Sequence, residues 1–428
     1  MPDPTGDAPN VVRERTRRSR FLALPGAALL PEVPRLGAAA RQLVALADPT
    51  PLRRWVRGHR EGDGLVPPLE HSPQVAGKFL FDEWALQLES ARSRMRIPTT
   101  DFRRRLRDEL ETALDLYQQR GWIDQPRTYH QDPPTLRADE VESSQVGWGR
   151  FRFEHLRWPS GWAPWPEEPG YDRWLEYRRN LTAHAWVLRH DGEPRPWIVC
   201  VNGYRTGEPL VDLATFRAGH LHRRLGLNVA ILVQPLHGPR SAGGSSGDRV
   251  LYGGAMNLVH TAAQAAWDTR RLLSWVRGAE HAPDAGLQGI SLGGLVTGLV
   301  ACLDGDLACA IAGIPESDIV RGLRRTVEPL LPPFYEHWGL SWTPSERVAR
   351  AASPLTMEPL VPRDRRFIYA GVADRWVRPG NVVALWEHWD RPSICWYQGS
   401  HLSFPTEPEV RRFLDATLEA TLGARPPS

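Results

Sequence analysis

Between residues 197 and 422 short apolar runs alternate with longer runs of helical periodicity, and this alternation constrains the fold more than any other feature. The short runs are 197–201, 228–233, 287–290, 307–314, 366–370 and 394–397. Helical patterns cover 210–225, 256–277, 292–303, 379–389 and 407–422. Strands so short and so continuously apolar are covered on both faces. They predict a mostly parallel, doubly wound α/β sheet. Residues 149–156 and 181–188 predict an antiparallel pair ahead of it.

Residues 1–140 read as an Arg/Pro-rich, helical N-terminal extension, and 141–428 as a second unit built on the sheet. Up to Ser72 the chain has weak periodicity and is expected to be extended or loosely packed. Two helices follow. Leu80, Trp84 and Leu88 recur at four-residue steps over 74–92. Phe102, Leu106, Leu110, Leu114 and Tyr117 recur over 100–120, with the cap in Thr99-Thr100-Asp101. Gln131-Asp132-Pro133-Pro134 is the expected exit linker. The stretch 315–364 is too long for a plain connection. It is rich in Pro and aromatics, Phe334 and Trp338 among them, and predicts a lid over the strand ends.

Charge excludes some function classes. With 53 basic against 50 acidic residues the net charge is +3, which gives no case for nucleic acid or an anionic membrane as partner. No apolar run reaches the roughly 18 residues of a membrane span. Cys200, Cys302, Cys309 and Cys395 lie in or beside apolar runs without metal-ligand spacing. They predict free buried thiols in a reducing compartment, hence a cytoplasmic protein. The alternative is export. Thr16-Arg17-Arg18-Ser19-Arg20-Phe21-Leu22 has the look of a twin-arginine signal, but Glu32, Arg35 and three prolines interrupt the apolar stretch that follows.

Leu287-Gln288-Gly289-Ile290-Ser291-Leu292-Gly293-Gly294 is the centre of the chemistry. A strand turning abruptly into a helix with a serine at the apex needs small residues on both arms. The helix N-terminus then sets free N–H groups beside the serine oxygen. The pattern also occurs at Gly243-Gly244-Ser245-Ser246-Gly247, but with no strand before it and no apolar helix after it, as in a plain loop. Three further features stand at ends of predicted strands. Asn202-Gly203-Tyr204 follows 197–201, Asp374 follows 366–370, and His401 follows 394–397.

Gly289-Ile290-Ser291-Leu292-Gly293, with Asn202-Gly203-Tyr204 before it and Asp374 and His401 after it, resembles the α/β-hydrolase superfamily over about 145–422. The resemblance implies Ser291 as nucleophile, His401 as its base and Asp374 as the acid that orients the base. The N–H groups of Leu292 and Tyr204 would form the oxyanion hole. One departure is that many members have His-Gly where this chain has Asn202-Gly203. The implied activity is that of a serine hydrolase cleaving a carboxylic ester or related acyl bond, with a small-molecule or lipid-like acyl substrate and no metal or cofactor. The alternative is a non-catalytic binding or scaffold protein that keeps the fold. Glu316 and Asp318, after 307–314, are the rival positions for the acid. His237 and Arg240, after 228–233, are pocket candidates; a structural His237 and a solvated Arg240 are the plainer readings. Trp158, Trp162, Trp165 and Trp174 are read as packing before substrate surface.

Overall fold

The computed structural model describes residues 64–94, 99–148, 151–327 and 341–424. The twin-arginine-like segment and both Phe334 and Trp338 lie outside the described residues. In chain order the elements are α1 Pro73–Arg94, α2 Thr100–Gln119, β1 Glu142–Trp148, β2 Phe151–Pro159, α3 Tyr171–Glu176, β3 Thr182–Leu188 and β4 Trp197–Val201. There follow α4 Pro209–Thr215, α5 Ala218–Arg223, β5 Asn228–Val233, α6 Asp248–Tyr252, α7 Ala255–Gly278, β6 Ala285–Ile290, α8 Leu292–Leu303 and β7 Cys309–Gly313. The chain continues through α9 Ile319–Val327, α10 Trp342–Ala349, β8 Arg366–Gly371, α11 Pro379–His388, β9 Ser393–Tyr397 and α12 Pro408–Leu422.

The strands form one nine-stranded sheet in the order β1-β2-β3-β5-β4-β6-β7-β8-β9. Pairing is antiparallel from β1 to β5 and parallel from β5 to β9. Alternate strand residues feed two cores. Val199, Val201, Leu287, Ala310 and Ile368 face α7, α8 and α11. Ile198, Cys200, Ile231, Ile311 and Tyr369 face α5 and α12. Both faces are thus covered, as the unbroken apolar strands require: this is a doubly wound α/β sheet of α/β-hydrolase type. The chain order reverses beside β4, so the loops after β4 and β6 open side by side at the carboxyl ends of the strands, where such sheets bind ligands.

Three differences from the sequence reading have physical causes. The single helix expected over 210–225 is two, because Arg217 adopts a left-handed backbone (φ 53) between α4 and α5. Strand β1 lacks the apolar alternation that marks a strand; its polar sequence pairs along one edge of the sheet with β2. Within the expected lid segment, 315–364, the described residues form α9 and α10, and α10 packs on α2 and α7. Finally, Leu80, Trp84 and Leu88 locate α1 but not its inward face: they are exposed, while Val75, Phe79, Asp82, Glu83 and Leu86 are buried. Helix α2 follows its pattern, with Leu106, Leu110, Ala113 and Tyr117 inward and the Thr99 side chain accepting from the Phe102 N–H.

Helix α7 carries almost no exposed side chain because layers cover it on both sides. Its polar residues face the layer away from the sheet. Gln264 accepts from the Trp174 indole and Asn180, and Trp267 donates to the Ser160 carbonyl. Trp158 and Trp174 are fully buried and Trp162 packs edge-on to Trp174, so these tryptophans are packing. No helix among the described residues is long and apolar enough to cross a membrane.

Candidate active site

Ser291 sits at the strand–helix turn between β6 and α8 with φ 56 and ψ −115, a conformation non-glycine residues rarely adopt. The turn closes only because its flanks lack side chains. A Cβ on Gly289 would overlap the Gly293 carbonyl and the Thr297 hydroxyl, and one on Gly293 would overlap the Val201 carbonyl. The turn is held by hydrogen bonds from Ser291 N to Gly313 O (2.9 Å) and from Glu316 N to Ser291 O (3.2 Å). As the first residues of α8, Leu292 and Gly293 have N–H groups without intrahelical acceptors, beside the serine.

His401 and Asp374 meet Ser291 from two other strand ends. His401 Nε2 lies 3.1 Å from Ser291 Oγ, and His401 Nδ1 lies 2.7 Å from Asp374 Oδ2. The carboxylate can only accept, so Nδ1 carries the proton and Nε2 is left to accept from the serine hydroxyl. Asp374 is fixed through its other oxygen by the N–H groups of Trp376 (2.9 Å) and Val377 (2.8 Å). Asp374 and His401 are both buried, and the Trp376 ring stacks over the imidazole. Burial alone would lower the His401 pKa. The charge and hydrogen bond of Asp374 and the charge of Asp82 outweigh it and leave it raised.

The loop after β4 lies against the serine. A Cβ on Gly203 would stand 3.6 Å from Ser291 Cβ. Asn202 is buried and braces this turn: its amide donates to Thr206 Oγ1 (2.9 Å) and its oxygen accepts from Gln234 N (2.9 Å). Asparagine here thus ties the turn to the neighbouring strand end. The Tyr204 ring packs edge-on to His237, with its hydroxyl 3.3 Å from Glu89.

Two pocket candidates turn inward. Arg240 is fully buried, donates to the Val233 and Asn180 carbonyls and pairs with Asp268 at 2.9 Å, so it is neither a solvated loop charge nor a pocket cation. His237 is fully buried with Nδ1 2.8 Å from the Pro235 carbonyl, and burial lowers its pKa to about 4. It is a neutral packing residue under the Tyr204 loop. Ser245 lies in the loop before α6, its N–H held by Asp248.

The rival acid Glu316 hydrogen-bonds to Asp318 N (3.0 Å) and Asn381 Nδ2 (2.9 Å), not to His401. Burial raises its carboxyl to about 8; N–H donors oppose the shift and the Asp318 charge adds to it. The folded protein therefore keeps a proton that the unfolded chain releases. The stability this contributes is complete at acid pH and is lost as pH rises through about 8. Glu316→Gln keeps the acceptor oxygen and cannot ionise. Its melting temperature is expected to rise relative to the parent between about pH 5 and about pH 8, and a melting series over that range checks it.

Two residues of α1 at this site escaped the sequence reading. Asp82 accepts from the backbone N–H groups of Arg375, His401 and Leu402. Glu89 accepts from Arg205 and Tyr252. The signal for Asp82 was a pair of carboxylates, Asp82-Glu83, set in the apolar stretch from Phe79 to Trp84. Among the described residues no group of three or more His, Cys, Asp or Glu is arranged to hold a metal ion.

No family model matches the sequence. Among solved structures, an acetyl xylan esterase from Thermoanaerobacterium is similar at 15% identity over 71% of this chain and 92% of that one, with a TM-score of 0.45. A second, from Paenibacillus, is 14% identical over 68% and 98%, with a TM-score of 0.46. Among curated proteins, the uncharacterized Mycobacterium tuberculosis protein MT2702 is 44% identical over 324 residues, 74% of this chain and 75% of its own. Rv2627c of the same species is 43% identical over the same shares. At that identity and coverage the chain belongs to the family of these two mycobacterial proteins.

Proposed function

We propose that the protein is a serine hydrolase that cleaves a carboxylic ester or related acyl bond through an acyl-enzyme. The observation that carries this reading is the hydrogen-bonded series Asp374–His401–Ser291, with the serine on a strained strand–helix turn at the carboxyl ends of the strands. Three residues from three separate strand ends, two of them buried, have no packing reason to converge in this order and tautomer.

In this mechanism His401 Nε2 takes the Ser291 proton as Oγ attacks the acyl carbon. The carbonyl electron pair moves onto its oxygen, where the N–H groups of Leu292 and Tyr204 stabilise the charge. The tetrahedral intermediate collapses as His401 passes the proton to the leaving alcohol. Water then repeats the sequence on the acyl-enzyme, with His401 as base, and releases the acid. Asp374 keeps Nδ1 protonated and stabilises the imidazolium. None of these steps requires a metal or cofactor.

The test is covalent labelling. A fluorophosphonate probe is expected to modify folded protein at Ser291, located by peptide mass spectrometry. Folded protein that stays unlabelled at Ser291 would mean a hydrolase fold retained for binding or scaffolding.

A further inference from the structure

We propose that Asp82, on helix α1 upstream of the whole sheet, is a positioning residue that clamps the Asp374 loop to the His401 loop. The inference rests on the triad assignment above and assigns part of the active site to the N-terminal extension. Asp82 is fully buried. One carboxylate oxygen, Oδ2, accepts from His401 N at 2.7 Å and Arg375 N at 3.2 Å. The other accepts from Leu402 N at 3.1 Å. These donors are the histidine itself, the residue after it and the residue after the acid. One carboxylate thereby fixes the backbone spacing of the two loops whose side chains must meet, and charge-assisted bonds of this kind are the strong ones.

The surroundings fit a clamp. Asp82 faces Asp374 and His401 from the two loops and the Tyr397 side chain at the end of β9. Next to it Glu83 pairs with the Arg375 guanidinium, and four residues earlier Lys78 pairs with Glu407 at 2.6 Å. The helix is therefore tied to the segments after both β8 and β9. A helix that needed only to cover the sheet would present apolar residues here. Between the buried Phe79 and Leu86, α1 instead turns Asp82 and Glu83 inward, and it leaves Leu80, Trp84 and Leu88 exposed. An ionised Asp82 also favours the protonated imidazole of His401, so it supports the imidazolium formed during acyl transfer. Its own carboxyl is raised to about 6 by burial and by Asp374, with His401 and the N–H donors acting against the shift.

The experiment compares wild type and Asp82→Asn on a small acyl ester, with kcat and KM measured across pH and fluorophosphonate labelling alongside. An asparagine cannot accept at both oxygens and carries no charge. The expected result is a loss in kcat on the order of 10²-fold from misplaced catalytic groups. KM should stay near the wild-type value, and the acid limb of kcat/KM should move to lower pH because His401 gives up its proton more readily. A folded variant with unchanged kcat and an unmoved limb overturns the proposal. So does a loss that appears in KM alone, which a merely structural role would give. Should Asp82→Asn not fold, the wild type decides. As pH falls His401, its pKa raised, takes up its proton first and Asp82 follows at about 6, so the acid limb should steepen from one proton to two. A one-proton limb throughout overturns the clamp. Wild type that neither labels nor turns over sinks the hydrolase reading itself, a result distinct from either of these.

Discussion

Ser291→Ala is expected to lower turnover of an acyl ester by on the order of 10⁴-fold or more while the protein stays folded. The size follows from what is removed. Without Oγ no acyl-enzyme forms, and what remains is whatever the N–H groups and substrate binding give to direct attack by water. The fold should survive because the turn is held by its backbone. Ser291 N still donates to Gly313 O, and Ser291 O still accepts from Leu295 N and Glu316 N, both at 3.2 Å. Only the bond to His401 Nε2 is lost. Ser245→Ala is the control. Its loop shares the Gly-x-Ser-x-Gly pattern but leads from no strand, so activity should hardly change. Comparable losses in both variants, at unchanged melting temperature, would remove Ser291 from its assigned role.

The parallel half of the sheet and the three convergent residues were legible because their signals are local. β4, β5 and α8 fall where the apolar runs begin and end. The sequence positions of Ser291, Asp374 and His401 relative to strand ends put them together in space once the strands lie parallel. Features that depend on non-local partners were not legible. Arg240 reads as a loop cation until its partner Asp268, on α7, is known. Strand β1 is polar and takes its identity from pairing with β2. For α1 the four-residue recurrence of Leu80, Trp84 and Leu88 pointed to the wrong face: the inward one carries Val75, Phe79 and Leu86, interrupted by Asp82, which accepts hydrogen bonds from the β8 and β9 loops. Hydrophobic periodicity detects burial against an apolar surface; it misses a buried position whose side chain is a hydrogen-bond acceptor.

Asp374→Asn is expected to reduce kcat by roughly 10⁴-fold at neutral pH with little change in melting temperature. The argument turns on tautomers. In the parent, Asp374 Oδ2 accepts from His401 Nδ1, while Oδ1 takes the Trp376 and Val377 N–H groups. An asparagine keeps its oxygen on those two backbone donors, which places its NH₂ against Nδ1. Nδ1 must then accept, the proton moves to Nε2, and Nε2 faces Ser291 as a donor that cannot take the hydroxyl proton. Loss of the negative charge adds to this, because it also withdraws support from the imidazolium and so from its raised pKa. Glu316→Gln and Asp318→Asn are the comparison, since that strand end is the other place an acid could stand. Glu316 meets Asn381 and Asp318 and has no bond to His401, so activity should remain near the parent level. Steady-state kinetics on all three variants decide the matter. Near-full activity in Asp374→Asn with a collapse in either of the others would move the acid to the end of β7.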